Sequence, residues 1–137
     1  MIDPTFNKTI TLYNRYVDKS GDKALTIWHR TVLHDCFFTT EAVTQLSGTS
    51  LSIADSYICR IPEDSRYTDD YKGIDGTFTL KPDDVIVCGE VDDNISDFKG
   101  SRISDLLQKY AGRSFTVKSV SINTHLPYAR HYRAKGV

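Results

Sequence analysis

The chain has 137 residues and a formal net charge of −1, which fits one domain with a core and is too short for two. Leu, Ile, Val and Phe supply 35 residues, about a quarter of the chain, clear of the roughly 20 % floor below which chains stay disordered. The balanced charge excludes a uniformly cationic, nucleic-acid-coating chain, and no apolar run nears the roughly 18 residues of a membrane span.

The opening MIDPTFNKTI lacks the basic-then-apolar order of a secretory leader. Cys36, Cys59 and Cys88 form no CxxC pair, which argues against a disulfide framework or a zinc knuckle. Synthesis in a reducing cytoplasm is the expectation. Val, Ile and Thr contribute 34 residues, a strand-forming composition.

In chain order, residues 8–17 alternate Ile10 and Leu12 with Thr9, Thr11 and Tyr13, the pattern of a half-buried strand. The polar turn at 19–23 contains Gly21 and leads into 24–34, where Leu25, Ile27, His29 and Thr31 share one face. Together these runs predict an opening hairpin. Residues 36–40 read as a further strand or a bend, and 44–52, polar with Gly48, as a loop or exposed turn. Alternation resumes from Ser52 to Arg60 and stops at Pro62.

Residues 62–76, PEDSRYTDDYKGIDG, are acidic and bounded by Pro and Gly. Loops of this length in compact domains are uncommon and often functional. The candidate loop residues are Glu63, Asp64, Arg66, Tyr67, Asp69, Asp70, Tyr71 and Asp75. A short strand is expected at 77–80, a Pro-containing turn at 81–84, and a buried strand at 85–88.

One helix is predicted at about 101–111. Ile103, Leu106, Leu107 and Tyr110 form one apolar stripe, Ser101 is placed to cap it and Gly112 to end it. Asp105 and Lys109 have i, i+4 spacing. A strand follows over 115–122, and 129–134 reads as the last. The fold class predicted for 1–137 as a single domain is therefore mainly β: a small antiparallel barrel or sandwich with one late helix and a long acidic loop.

Charge is balanced in total but not in position. Residues 60–100 carry eleven acids and five bases, whereas 101–137 carry one acid and seven bases. Two faces that attract within one molecule, or unlike ends that associate head to tail, both fit this pattern.

Catalytic and metal-binding patterns are sparse. His29 and His34 are an odd number apart and point to opposite faces of a strand. His34 and Cys36 give two ligands where a divalent site needs three or four. The cysteines lie in no nucleophile elbow, and Asp69-Asp70, Asp83-Asp84 and Asp92-Asp93 sit where turns favour Asp. No phosphate-cradling glycine motif is present. No catalytic, cofactor or metal residue is assigned, and a non-enzymatic role is the expectation. The C-terminal Tyr128, Arg130, His131, Tyr132, Arg133 and Lys135 interleave bases with aromatics. That mixture suits nucleic-acid stacking and phosphate pairing, a protein contact, or an edge strand protected by charge.

Three stretches carry a family resemblance: ITLYNRYVDKSGDKALTIWHRTVL at the start, FTLKPDDVIVCGEVDD in the middle with its K-P-x-D-x-I-V-x-G pattern, and SRISDLLQKY, FTVKSVSIN and RHYRAKGV at the end. Their order resembles that of small minor capsid or head–tail joining proteins of tailed phages and prophages. The stretch 41–56 departs from it. The resemblance implies a head-closure, stopper-type β-barrel in a ring beneath the portal and adaptor. Its partners would be copies of itself, the adjacent neck proteins and the tail, with double-stranded DNA passing through without specific binding and no membrane. It implies assembly from the bacterial cytoplasm into the virion neck, with a loop, here 62–76, turned to the channel. The alternative is a small nucleic-acid-binding barrel that uses the C-terminal strand.

Overall fold

The computed structural model describes residues 6–19, 21–22, 24–47, 50–69, 71–72, 76–96, 100–125, 127 and 130–136, with the backbone alone for 41–47 and 50–55. Six strands and one helix follow in order: β1 (Lys8–Asp18), β2 (Leu25–Ser47), β3 (Ser50–Pro62), β4 (Val85–Cys88), α1 (Ile103–Lys109), β5 (Ser114–Asn123) and β6 (His131–Gly136). They close into an antiparallel barrel in the order β1-β2-β3-β6-β5-β4. Closure, rather than a two-sheet sandwich, removes the edges that open sheets must protect.

The opening hairpin forms as its alternation predicts, Ile10 standing opposite Leu33 and Val17 opposite Thr26. Leu25 and Ile27 are exposed, however. At that end β1 and β2 pair with each other only, because β4 reaches β1 no further than Tyr13. β2 then runs through 36–40 without a break and continues to Ser47. It exchanges partners on the way, from β1 (Lys8 opposite Cys36) to β3 (Phe37 opposite Arg60). Asp35 marks the exchange with φ +58°. Asp tolerates that left-handed conformation, and the extra residue bends the strand around the barrel corner.

At 44–52, read as a loop or exposed turn, strand pairing runs on as far as Ser47 and Ser50. Glu41 to Ser47 pair residue by residue with Ser56 back to Ser50. β6 pairs with β3 only from Tyr57 onward, so this stretch is a two-stranded ribbon leaving the barrel wall. The strand expected at 77–80 reduces to one bridge, Phe78 with Tyr67. Helix α1 has 7 residues, about a turn fewer than the span 101–111 expected for it. Its start is closed by Asp105, whose Oδ2 accepts from the Arg102 N–H (3.1 Å) and the Gly100 N–H (2.8 Å). Lys109 therefore finds Asp93 at 2.8 Å.

Two apolar clusters result. Inside the barrel lie Ile10, Leu12, Leu33, Cys36, Tyr57, Cys59, Ile61, Phe78, Ile86, Phe115, Val117 and Tyr132, among others. Tyr57 and Phe115 stack at 5.4 Å. Outside it, Tyr13, Val85 and Val87 are covered by Leu106 of α1, with Trp28, Ile103, Leu107 and Tyr110 packed around them. This second layer explains why 85–88 is apolar without alternation: β4 is buried on both faces.

Candidate functional site

The turn ahead of β4 is a structural stitch. Asp84 is fully buried. Its carboxylate accepts from Asn14 Nδ2 (2.8 Å), the Arg15 N–H (2.8 Å) and the Lys81 N–H (3.0 Å), and it pairs with the Lys81 ammonium. Burial pushes the Asp84 carboxyl up, against these bonds. Asn14 Nδ2 also donates to Thr79 O at 2.8 Å. The backbone completes the joint: the Asp83 N–H donates to Val117 O (3.0 Å) and the Val117 N–H to Asp84 O (2.8 Å). Lys81, Pro82, Asp83 and Asp84 thus fasten β1 to β5 around the end of β4.

The acidic segment folds back on the barrel over the residues described. Arg66 holds Asp64 in a two-pronged contact (2.8 and 3.1 Å), which keeps the Asp64 carboxyl below its ordinary range. Tyr67 stacks on Tyr132 at 4.1 Å. Tyr71 meets Tyr16 and His29 edge-on. Tyr67, Asp69 and Tyr71 line a cleft of about 420 Å³ with Arg15, Tyr16, Val17, Thr79, Leu80 and Lys81. Glu63 reaches Arg130 at 3.8 Å, so the acidic segment and the basic end meet here. Asp70 and Asp75 lie outside the described residues.

β6 is not an edge strand, since it pairs with β3 on one side and β5 on the other. Its alternation separates the candidate residues. Tyr132, Ala134 and Gly136 point into the core; a Cβ on Gly136 would lie 2.0 Å from Thr116 O. Tyr132 is thus a core ring, not a platform for bases. Its neighbours His131, Arg133 and Lys135 face outward. Tyr128 lies outside the described residues.

The outward residues meet partners that the one-dimensional pattern does not show. Arg133 stands directly opposite Arg60 of β3 and Ser121 of β5; Lys135 stands opposite Ile58 and Ser119. Lys118 is exposed at a bulge in β5 between Val117 and Ser119. The Arg60 guanidinium lies 4.9 Å from the centre of the Phe37 ring, and its buried Nε has no acceptor. Phe6 packs against Phe37 and edge-on to His131. Among the described residues no carboxylate pairs with Arg60, Arg133, Lys135 or Lys118. The parity of β3 with β6 is the signal that would have added Arg60 to the set.

The thiols are held in their protonated form. Burial pushes Cys36 up to about 12, drives Cys59 well above its ordinary value and raises Cys88. Among the described residues no three His, Cys, Asp or Glu side chains gather to hold a metal, and no helix is long and apolar enough to cross a membrane.

Fold and site together define a small closed β-barrel with a buried, bonded carboxylate at its joint and an outer wall whose cations pair with no carboxylate among the described residues. Residues 5–137 match a family of unknown function, DUF6751, and the chain belongs to that family. No curated protein and no solved structure matches it.

Proposed function

We propose that this chain is a non-enzymatic structural component of a tailed-phage neck, one subunit of a ring that joins head to tail and helps retain packaged DNA. The observation that carries the reading is the ribbon formed by 41–47 and 50–56, whose two strands pair only with each other. A two-stranded ribbon is marginal alone in water, and its two open backbone edges are templates for pairing with another chain. Such an arm suits contacts between neighbouring subunits, which in a ring meet through unlike surfaces.

The resemblance of the opening hairpin, the K-P-D-D turn and the helix-then-strand ending to head–tail joining proteins supports the same reading. Copies of the chain, the portal–adaptor assembly and the tail are its partners, with assembly in the bacterial cytoplasm and residence in the virion neck.

The test is electron microscopy of particles induced from a lysogen lacking this gene. Emptied heads beside free, complete tails are expected. Intact infectious virions would overturn the reading.

A further inference from the structure

We propose that the outer wall carrying Arg60, Arg133, Lys135 and Lys118 binds the phosphodiester backbone of duplex DNA without reading its sequence. The proposal goes beyond the neck reading and does not depend on it.

Arg60 and Arg133 are register partners on adjacent strands, which puts their Cα atoms about 5 Å apart; like charges directly opposite oppose folding. Lys135 follows about 7 Å along β6, and Lys118 lies beside it on β5. The Phe37 ring beneath Arg60 fixes the guanidinium without satisfying it, and its Nε has no acceptor. Ser119 and Ser121, exposed and in register with Lys135 and Arg133, add hydroxyl donors. An anion seated over the strands relieves the repulsion and gives the outward ends of Arg133, Lys135 and Lys118 and the two hydroxyls a partner, while the Arg60 Nε stays buried beneath it.

Two observations select the duplex backbone as the occupant. Among the described residues the rings around the wall are engaged: Tyr132 points inward, Phe37 carries Arg60, and Phe6 is packed on Phe37 and His131. Contact is then limited to phosphates, which position a duplex but do not specify it. Nor do the described residues offer an acid-only counterface for a second copy. Around β4, Glu90, Asp92 and Asp93 are interspersed with cations: Lys109 holds Asp93, Arg30 reaches Val91 O, and Arg113 reaches Cys88 O.

The experiment is an NMR titration of the full isotope-labelled chain with two unrelated duplexes of about one helical turn. Amide shifts are expected along β3, β5 and β6, alike for both sequences. Four phosphate contacts give a log–log salt slope of about −3.5, or about a hundredfold loss of affinity from about 50 to about 200 mM salt. The double variant Arg133→Gln, Lys135→Gln, with its spectrum otherwise native, should roughly halve that slope. The proposal is overturned by an absence of shifts at low salt, by shifts elsewhere, or by a slope unchanged in the variant. It is overturned equally by a single strand that binds better than the duplex through Phe6 and Phe37. Wall shifts that grow with protein concentration alone would assign the surface to a second copy and likewise refute it.

Discussion

The Asp84 joint and the Arg60–Arg133–Lys135 wall treat charge in contrary ways. At the joint one carboxylate is withdrawn from water, and three N–H donors and an ammonium converge on it. On the wall two arginines stand in register across a ladder, and among the described residues no carboxylate pairs with either. The joint is explained by the fold: without it β1, β4 and β5 lose their common fastening. The wall is not, because like charges in register weaken a sheet. Charge that serves folding is bonded within the chain; among the described residues the wall's charge meets no carboxylate.

Substitutions on the two sides should therefore separate cleanly. Asp84→Ala strands the donors of Asn14, Arg15 and Lys81 and should cost about 3 kcal/mol, read as a fall in the urea midpoint. Gly136→Ala, beside the wall but facing inward, forces a methyl against Thr116 O and should cost about 2 kcal/mol. Arg133→Gln, one layer outward, should leave stability within about 0.5 kcal/mol while weakening DNA contact. A loss comparable to that of Asp84→Ala would erase the contrast and make the wall a support of the fold itself.

The smallest effect is expected at Asp93, where Lys109 and the Tyr110 hydroxyl hold the carboxyl below its ordinary range. A depressed folded-state value means that its stabilisation is present above the ordinary carboxylate range and fades as pH falls through the depressed one. Asp93→Asn should flatten the acid limb of a stability–pH curve below about pH 4 and leave the neutral region almost unchanged.

Local chemistry makes much of this molecule legible. Pro82 with the two following aspartates announces a turn, and the stripe from Ile103 to Tyr110 announces a helix. The class, mainly β with one late helix, follows from strand-sized runs between turn residues. The ribbon strands at 44–52 read as a loop or exposed turn because alternation reports a buried face, and a ribbon that has left the barrel has no core side to mark. β6 reads as an edge strand for the converse reason: its inward positions include Ala134 and Gly136, small residues that leave only the basic outward set visible. Arg60 draws no notice because it closes an alternating run. Its meaning depends on Arg133, more than seventy residues away, and only strand register brings the two together.

β2 connects the two ends of the molecule through one uninterrupted strand of 23 residues, about 70 Å of contour. One half is laced to β1 and the other to β3, with Asp35 at the changeover. Tension applied at either hairpin tip travels along a single covalent backbone. It loads both ladders in shear, so that many hydrogen bonds resist together instead of opening in succession. Strain at one tip is thereby felt at the other, and the barrel between them acts as a clamp on a continuous cable.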